Sequence, residues 1–570
     1  MRRLSARRIA LAACVVAGFI CPPVAAQSPD RFAPRPSDRE LPTPSLRDET
    51  GDGFVIRAPE PLAAPTPDAG PGFILRSVRF TGVTVPLEEA LRDIAAPYLD
   101  RRVSGGDLAS IRLAATKAYI DQGYVTSGVI LPDQDVADGA VVFQAIEGEL
   151  GDVNVSGLER LDADYIADRL RRDLAKPLRV QALRENVLIL LKDRAIKTLN
   201  LNLRPSGALG RATLDVEVVE AKPLTLSATV ANDVSPSIGG EAVEAEARYR
   251  SLAVAGDLFS VSGRLAEGLV GGGVDYAAPL SADGLRFALS ADFSDAEVVE
   301  APTDVLDIES SNIALRAALS HPLIDTSTRT LDAIAAFEWS ESRTKLLGRG
   351  FPFAPGAEAD GSSTTAAARL SLDYLDRGAS SAFAARSTLS LGIDAFGATI
   401  NPGGAPDGEF VAWLAQATYV QRLNDDGLAL SLQGTTQLTP DRLLPIEQFA
   451  VGGLGSVRGY RQNRFVRDNG FSTSLEIRAP IATFPIPDIS ETAADGVIEA
   501  VGFIDGGGAW NNGDAERRYL ASVGGGLRWR ISRLAMAEFY FGQPLIDQTN
   551  ADEDDLQDYG LHFRVRVGFD

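Results

Sequence analysis

From about residue 222 to the C-terminus, apolar and polar residues alternate almost position by position. The last segment shows the pattern most clearly: Leu561, Phe563, Val565, Val567 and Phe569 fall on one side, and His562, Arg564, Arg566 and Gly568 on the other. A period of two is the signature of a β-strand, whose successive side chains point to opposite faces. Segments 520–530, 471–478 and 285–293 read the same way, with arginine, serine or aspartate on the polar side. The whole stretch divides into about sixteen such segments. The breaks between them alternate in length. Those near Ala253, Ser281, Asp376, Asn424 and Ser532 are short, whereas 296–310, 342–363, 396–409, 437–468 and 543–558 are long. A soluble sandwich also alternates its faces, but the regular exchange of tight turns and long loops belongs to bacterial outer-membrane barrels, with turns in the periplasm and loops outside. One connection, 480–496, is long where a short one is expected. The expectation for 222–570 is an all-β transmembrane β-barrel of about 16 antiparallel strands.

Before residue 222 the period changes twice in the same order. A strand at 74–80 precedes a helix that starts at Pro86 and aligns Leu87, Leu91, Ile94 and Tyr98 on one face. A second helix, 107–122, aligns Leu108, Ile111, Ala115 and Ala118, and strands follow at 125–131 and 141–147. The β-α-α-β-β order repeats with a strand at 152–156, a helix bearing Ile166, Leu170 and Leu174, another bearing Leu183, Val187 and Leu191, and two alternating strands around Leu201 and Val216. These are two α+β domains, 72–149 and 150–221. Upstream, 27–71 is dense in proline and charge, and reads as a mobile linker without a core.

The N-terminus places the chain outside the cytoplasm. Arg2, Arg3, Arg7 and Arg8 precede an apolar run from Ile9 to Ile20 and the small residues Val24-Ala25-Ala26, the pattern of a secretory signal peptide spanning 1–26. A lipoprotein signal ending at Cys14 would leave an apolar run of only about five residues, short for that role. Both cysteines, Cys14 and Cys21, fall within the signal, so the mature chain offers no thiol chemistry. Loss of the four arginines takes the formal net charge from −22 to −26, which argues against nucleic acid as a partner. No later apolar run reaches the roughly eighteen residues of a membrane helix. His321 and His562 are the only histidines, and neither has metal-ligand spacing around it. The acidic run 552–555 reads as solvated loop charge, and no Ser-His-Asp or H-E-x-x-H pattern appears. Neither an enzyme nor a cofactor or metal is expected.

The chemistry concentrates in Gly452-Gly453-Leu454-Gly455-Ser456-Val457-Arg458-Gly459-Tyr460. A dinucleotide loop needs G-x-G-x-x-G at the mouth of a helix; counting from Gly453 and Gly455, Arg458 fills the third glycine position and strand alternation follows. No nucleotide is expected. The stretch falls in the sixth outer loop, and the thirteenth strand carries Phe503-Ile504-Asp505-Gly506-Gly507. Here the chain resembles the two-partner secretion transporters (TpsB, FhaC/ShlB-like) of the BamA-like superfamily. Val457-Arg458-Gly459-Tyr460 is similar to that superfamily's VRGY loop motif and 503–507 to its barrel-wall partner. Gly123-Tyr124-Val125-Thr126-Ser127 and Leu131-Pro132-Asp133-Gln134-Asp135 are similar to the first POTRA domain of this branch, with Pro132 and Gln134 in its motif.

In a wide, water-filled barrel, Arg458 can offer its planar fork to Asp505 as a bidentate lock, with Gly455 and Gly459 letting the loop tip turn and glycine beside Asp505 leaving room on the wall. The resemblance implies an outer-membrane transporter whose periplasmic POTRA domains recognise an unfolded TpsA-like exoprotein with an N-terminal secretion domain and pass it through the barrel, within outer-membrane lipid. A BamA-type assembly factor shares VRGY but usually carries more POTRA domains; a plain porin would leave both units without a purpose. Family members often carry an N-terminal plug helix, for which Arg39-Glu40-Leu41, between Pro36 and Pro42, leaves little room.

Overall fold

The computed structural model describes residues 41, 44, 46, 54–57, 72–136, 138–487, 489, 490, 492, 494–547 and 555–570. The signal-peptide reading of 1–26, the question of a plug helix and most of the acidic run 552–555 lie outside the described residues.

Two α/β units precede a closed barrel. The chain first forms β1 (Phe54–Arg57), then the first unit: β2 (Phe73–Leu75), β3 (Ser77–Thr81), α1 (Glu88–Ala95), β4 (Arg101–Val103), α2 (Gly105–Asp121), β5 (Gly128–Ile130) and β6 (Ala140–Ile146). The predicted strand at 74–80 is split at Arg76, where the chain leaves the β2/β4 pair for the β3-β6-β5 sheet. The predicted strand at 125–131 shrinks to three residues because Gly123 turns at φ +88° and Ser127 turns back onto the Tyr124 carbonyl. Ser104 and Asp107 start α2 as a capping box, each side chain bonding the other's backbone N–H at 3.2 and 2.8 Å. Leu91, Ile111, Tyr119 and Phe143 close the core.

In the second unit, α3 (Ala163–Arg171) and α4 (Val180–Leu190) cover one face of β7 (Glu149–Ser156), β8 (Ile196–Pro205) and β9 (Arg211–Glu220). Alternate residues Leu199, Leu201, Leu203, Leu214, Val216 and Val218 point into the core, as their period requires. The sheet runs β1-β8-β9-β7, so the linker reading of 27–71 needs correction: Phe54–Arg57 pairs in parallel with Leu199–Asn202. The apolar, β-branched sequence Phe54-Val55-Ile56 suits a strand, and β8 offers it a row of backbone partners. The two units meet where Val180 N donates to the Gly123 carbonyl at 3.0 Å and a Cβ on Gly123 would collide with Gln181. Gln134 is spent within the first unit: its side-chain amide exchanges hydrogen bonds of 2.7 and 2.8 Å with the backbone of Val142 and donates to the Pro132 carbonyl at 3.2 Å.

The barrel begins with β10 (Leu224–Ala231), β11 (Ala242–Arg250), β12 (Leu258–Ala266), β13 (Leu269–Pro279), β14 (Arg286–Glu297), β15 (Ile308–Asp325) and β16 (Arg329–Leu346). After the two-residue β17 (Arg349–Gly350) come β18 (Ser362–Arg377), β19 (Ser381–Gly392), β20 (Val411–Arg422) and β21 (Ala429–Leu438). The loop hairpin β22 (Phe449–Val451) and β23 (Phe465–Arg467) precedes β24 (Asn469–Thr483), β25 (Val497–Trp510), β26 (Arg517–Ser532), β27 (Ala535–Pro544) and β28 (Leu561–Phe569). Without β17, β22 and β23 these are sixteen antiparallel strands, closed by β28 against β10. Leu289 and Phe293 on β14, Leu370 and Leu372 on β18, and Leu561 and Phe569 on β28 are exposed outward, while their neighbours of the other parity face the lumen. Turns at one end are short. Those at the other include 347–361, 393–410 and 439–468, and the unexpected long connection, 484–496, sits at the short-turn end.

Candidate functional site

The loop 439–468 folds into the lumen instead of out into solvent. Its β22/β23 base and tip bury Phe449, Val451, Val457, Tyr460 and Phe465 against Ala509 and Leu520 of the wall. The tip turns at Gly452, Gly453 and Gly459, with φ of +114°, +98° and +90°. A Cβ on Gly459 would meet the Gly542 carbonyl oxygen at 2.7 Å, so that glycine serves both the turn and the close approach. Gly455 does neither, because its surroundings are open; its expected role passes to Gly452 and Gly453.

Arg458 is the centre of the contact. Its Nε and Nη2 donate to the two Asp505 carboxylate oxygens at 2.8 and 2.9 Å, the expected bidentate fork, and its backbone N–H donates to Oδ2 at 3.1 Å. Nη1 reaches Glu476 at 2.8 Å and Nη2 reaches the Ser474 hydroxyl at 3.0 Å, while Arg478 pairs with the other Glu476 oxygen. Two carboxylates and two guanidiniums therefore close a neutral cluster, which is how buried charge avoids an unpaired desolvation cost. Phe503, two residues before Asp505 on the same face, places its ring beneath the guanidinium, 3.6 Å from its central carbon to the ring centre, and the Tyr540 ring centre is at 4.9 Å. Gly507 completes the wall motif sterically. A Cβ there would meet Val451 at 2.7 Å and Val457 at 3.0 Å. Tyr460 donates to the Ala521 carbonyl at 2.7 Å.

The structure brings all the predicted loop and wall residues together and adds others. His562, read in the sequence as an ordinary lumen residue, accepts the Gly459 backbone N–H at Nε2 over 2.9 Å. His321 lies 3.4 Å from Asp283 at the short-turn end, far along the chain from the loop. A second anchor lies on the other side of the lumen. Glu447, in a short 3-10 turn before β22, accepts Arg369 Nη2 at 2.8 Å and the Thr365 hydroxyl at 3.2 Å. Arg369 also reaches Glu338 at 3.2 Å and Ser390 at 2.7 Å. Its partners lie on β16 and β19, the seventh and ninth strands of the barrel, whereas Asp505 and His562 lie on the thirteenth and sixteenth. Arg461 adds a third tie, to Asp558 at 2.5 Å and Glu300 at 2.7 Å. The loop is a strap across the pore, tied on opposing walls. Only the polar parity of 338, 369 and 562 is visible in the sequence; the pairing of Arg369 and His562 with a loop 78 and 103 residues away is not.

A sixteen-strand barrel preceded by POTRA-type α/β structure, with an arginine-tipped loop latched to the wall inside it, defines an outer-membrane polypeptide transporter. Residues 210–529 match the haemolysin secretion/activation proteins ShlB/FhaC/HecB, and 73–148 match the ShlB-type POTRA domain. The chain belongs to the ShlB/FhaC/HecB family and is a two-partner secretion transporter. It is 23% identical over 587 residues to the outer membrane transporter CdiB of Escherichia coli, covering 99% of this chain and 94% of that one. The solved structure of CdiB from Escherichia coli has a TM-score of 0.64 at 20% identity, covering 90% of this chain and 94% of that chain. BamA from Haemophilus ducreyi, in a structure lacking POTRA domains 1–3, reaches 0.52 at 15% identity over 87% of this chain and all of that one. At these identities the structural likeness concerns the fold.

Proposed function

We propose that both α/β units stand in the periplasm, the second as a further POTRA domain, and that they recognise an unfolded exoprotein through its N-terminal secretion domain before it enters the barrel. The second unit repeats the helix and strand order of the first and stacks its helices on one face of its sheet, which supports the assignment. Among the described residues, strands β5 and β7 each pair on one side only, so an extended segment can add to their edges through main-chain hydrogen bonds that tolerate many sequences. The membrane supplies lipid around the outward-facing leucines and phenylalanines. Transport of this kind makes and breaks no covalent bond, and we assign no catalytic role to any residue.

One observation carries the mechanism: the strap crosses the lumen and is held by Arg458 on Asp505 and by Glu447 on Arg369. At rest it closes the path, and passage of a polypeptide requires it to shift. Arg458→Ala is expected to impair secretion of the partner while the barrel still assembles, judged by its heat-modifiable mobility on gels. Wild-type secretion by an assembled Arg458→Ala barrel would remove the latch from the mechanism.

A further inference from the structure

Where the second unit meets the barrel, a cavity of about 570 Å³ opens between α3, α4 and the short-turn ends of β11 to β16. The unit is fastened around it. Arg172 and Lys192 bind Asp325 at 2.9 and 3.0 Å, and Ser327 donates through its backbone to Glu185 at 2.5 Å. Gly256 brings the β11–β12 turn so close to Tyr165 that a Cβ would lie 2.1 Å from the hydroxyl.

The lining is strongly cationic although the whole chain carries −22. Its carboxylates are largely committed elsewhere. Asp257 accepts three backbone N–H groups, from Leu252, Ala253 and Val254, at 2.7 to 2.9 Å. Asp193 takes the Tyr165 hydroxyl at 2.6 Å, and Asp325 is shared by Arg172 and Lys192. Asp332 sits on β16 opposite Pro322, beside Asp325. Among the described residues, Arg194, Arg250 and Arg286 pair with no carboxylate; Arg250 donates only to the Thr225 hydroxyl, at 2.9 Å. Arg169 spends its donors on the carbonyls of Tyr165 and Ser281, at 3.0 and 3.4 Å. Burial is the main influence lowering the pKa of Arg169; Tyr165 and the charges of Asp193 and Asp168 oppose it, and the charge of Arg286 reinforces it.

Arg169, Arg194, Arg250 and Arg286 line this cavity without a direct carboxylate ion pair, although the charges of Asp193 and Asp168 act on Arg169 and those of Asp570 and Asp193 on Arg250; the remaining cationic excess makes an anion site, and its position selects the anion. Arg250 and Arg286 have the lumen parity of their strands, opposite to exposed Val243 on β11 and Leu289 on β14, so they turn away from lipid. The site lies where the second unit meets the short-turn end of the barrel. We propose that Arg169, Arg194, Arg250 and Arg286 receive acidic, extended segments of the exported polypeptide at the barrel entrance. This rests on the transport reading above. Guanidinium suits the role because its fork binds carboxylates in either of two orientations and its charge steers association at range.

The test uses the purified full chain and a fluorescein-labelled peptide of alternating aspartate and serine, with the asparagine–serine peptide as control, followed by anisotropy. The acidic peptide should bind in preference to its amide counterpart. The triple change R194Q/R250Q/R286Q should weaken binding about tenfold or more, and R194K/R250K/R286K, which keeps the charge and loses the fork, should weaken it by a smaller factor. The lysine variant guards against simple misfolding. Equal binding of the two peptides, or indifference to the glutamine changes, would overturn the site. So would displacement of the peptide by millimolar inorganic phosphate, which marks a small-anion site, or by phosphatidylglycerol vesicles, which mark a headgroup site. A wild-type strain that secretes its partner while the peptide fails to bind would sink only the cavity; a deletion strain whose secreted proteins are unchanged would sink the transport reading whatever the peptide does.

Discussion

Asp505→Ala removes the wall half of the latch. The Asp505 side chain is fully buried and that of Arg458 is 7% exposed, so the pair holds its charges away from water. The substitution deletes three hydrogen bonds to Arg458 and leaves the cluster with two guanidiniums facing Glu476 alone. Breaking one side of such a pair costs about 3–5 kcal/mol, because the remaining charge stays desolvated. An undocked loop exposes Arg458 to lumen water and avoids most of that cost. The docking equilibrium should therefore shift toward release by about two to three and a half orders of magnitude. In planar bilayers the variant is expected to spend far more time in large-conductance states than the parent, and partner secretion should fall because the loop no longer returns to one position. Parent-like gating together with parent-like secretion, from a barrel shown to be assembled, would refute the reasoning.

Glu447→Ala cuts the second anchor; Arg369 keeps Glu338 and Ser390, so the loss should be smaller, about 1.5–3 kcal/mol, and single-channel recordings should show an intermediate rise in open time. Combined with Asp505→Ala its effect should be non-additive, since both residues hold one loop. Gly507→Ala drives a methyl against Val451 and Val457 and should cost about 1–3 kcal/mol of docking, seen as faster proteolysis of the loop with the barrel intact. Glu220 of the second unit accepts N–H groups from Glu159, Arg160 and Leu161 at 2.8, 3.0 and 3.0 Å. Burial pushes its carboxyl up, but these donors and the Arg160 charge together outweigh burial and hold it below the usual range. Its stabilisation is then complete above the unfolded carboxylate pKa of about 4.3 and fades as pH falls through the lower folded value. Glu220→Gln should destabilise the unit by about 2 kcal/mol near neutral pH, with the gap closing in acid, measured by hydrogen exchange of β9; a gap that widens in acid would contradict the assignment.

The barrel is legible in the sequence because every strand has one face in lipid and one toward the lumen, so burial writes a period of two directly into the chain. Arg458 and Asp505 can be paired from the sequence because each lies in a motif with a known counterpart. The β1 strand is hidden among prolines: four residues are too few for periodicity, and only the edge of β8 explains them. Arg369 and Glu447 are hidden for a different reason. A lumen residue and a loop carboxylate 78 positions apart share no local pattern, and their meeting depends on how the loop re-enters the pore. His562 shows the same limit, since its parity marks the lumen but not the backbone N–H that it accepts.

Dedicated secretion is tested most directly by comparing the extracellular proteins of a deletion strain with those of its parent, with the outer-membrane barrel proteins measured alongside. Loss of one large secreted protein with the other barrels unchanged is the expected result. A general fall in outer-membrane barrels, with no single secreted protein missing, would contradict it and point instead to an assembly factor of the BamA kind.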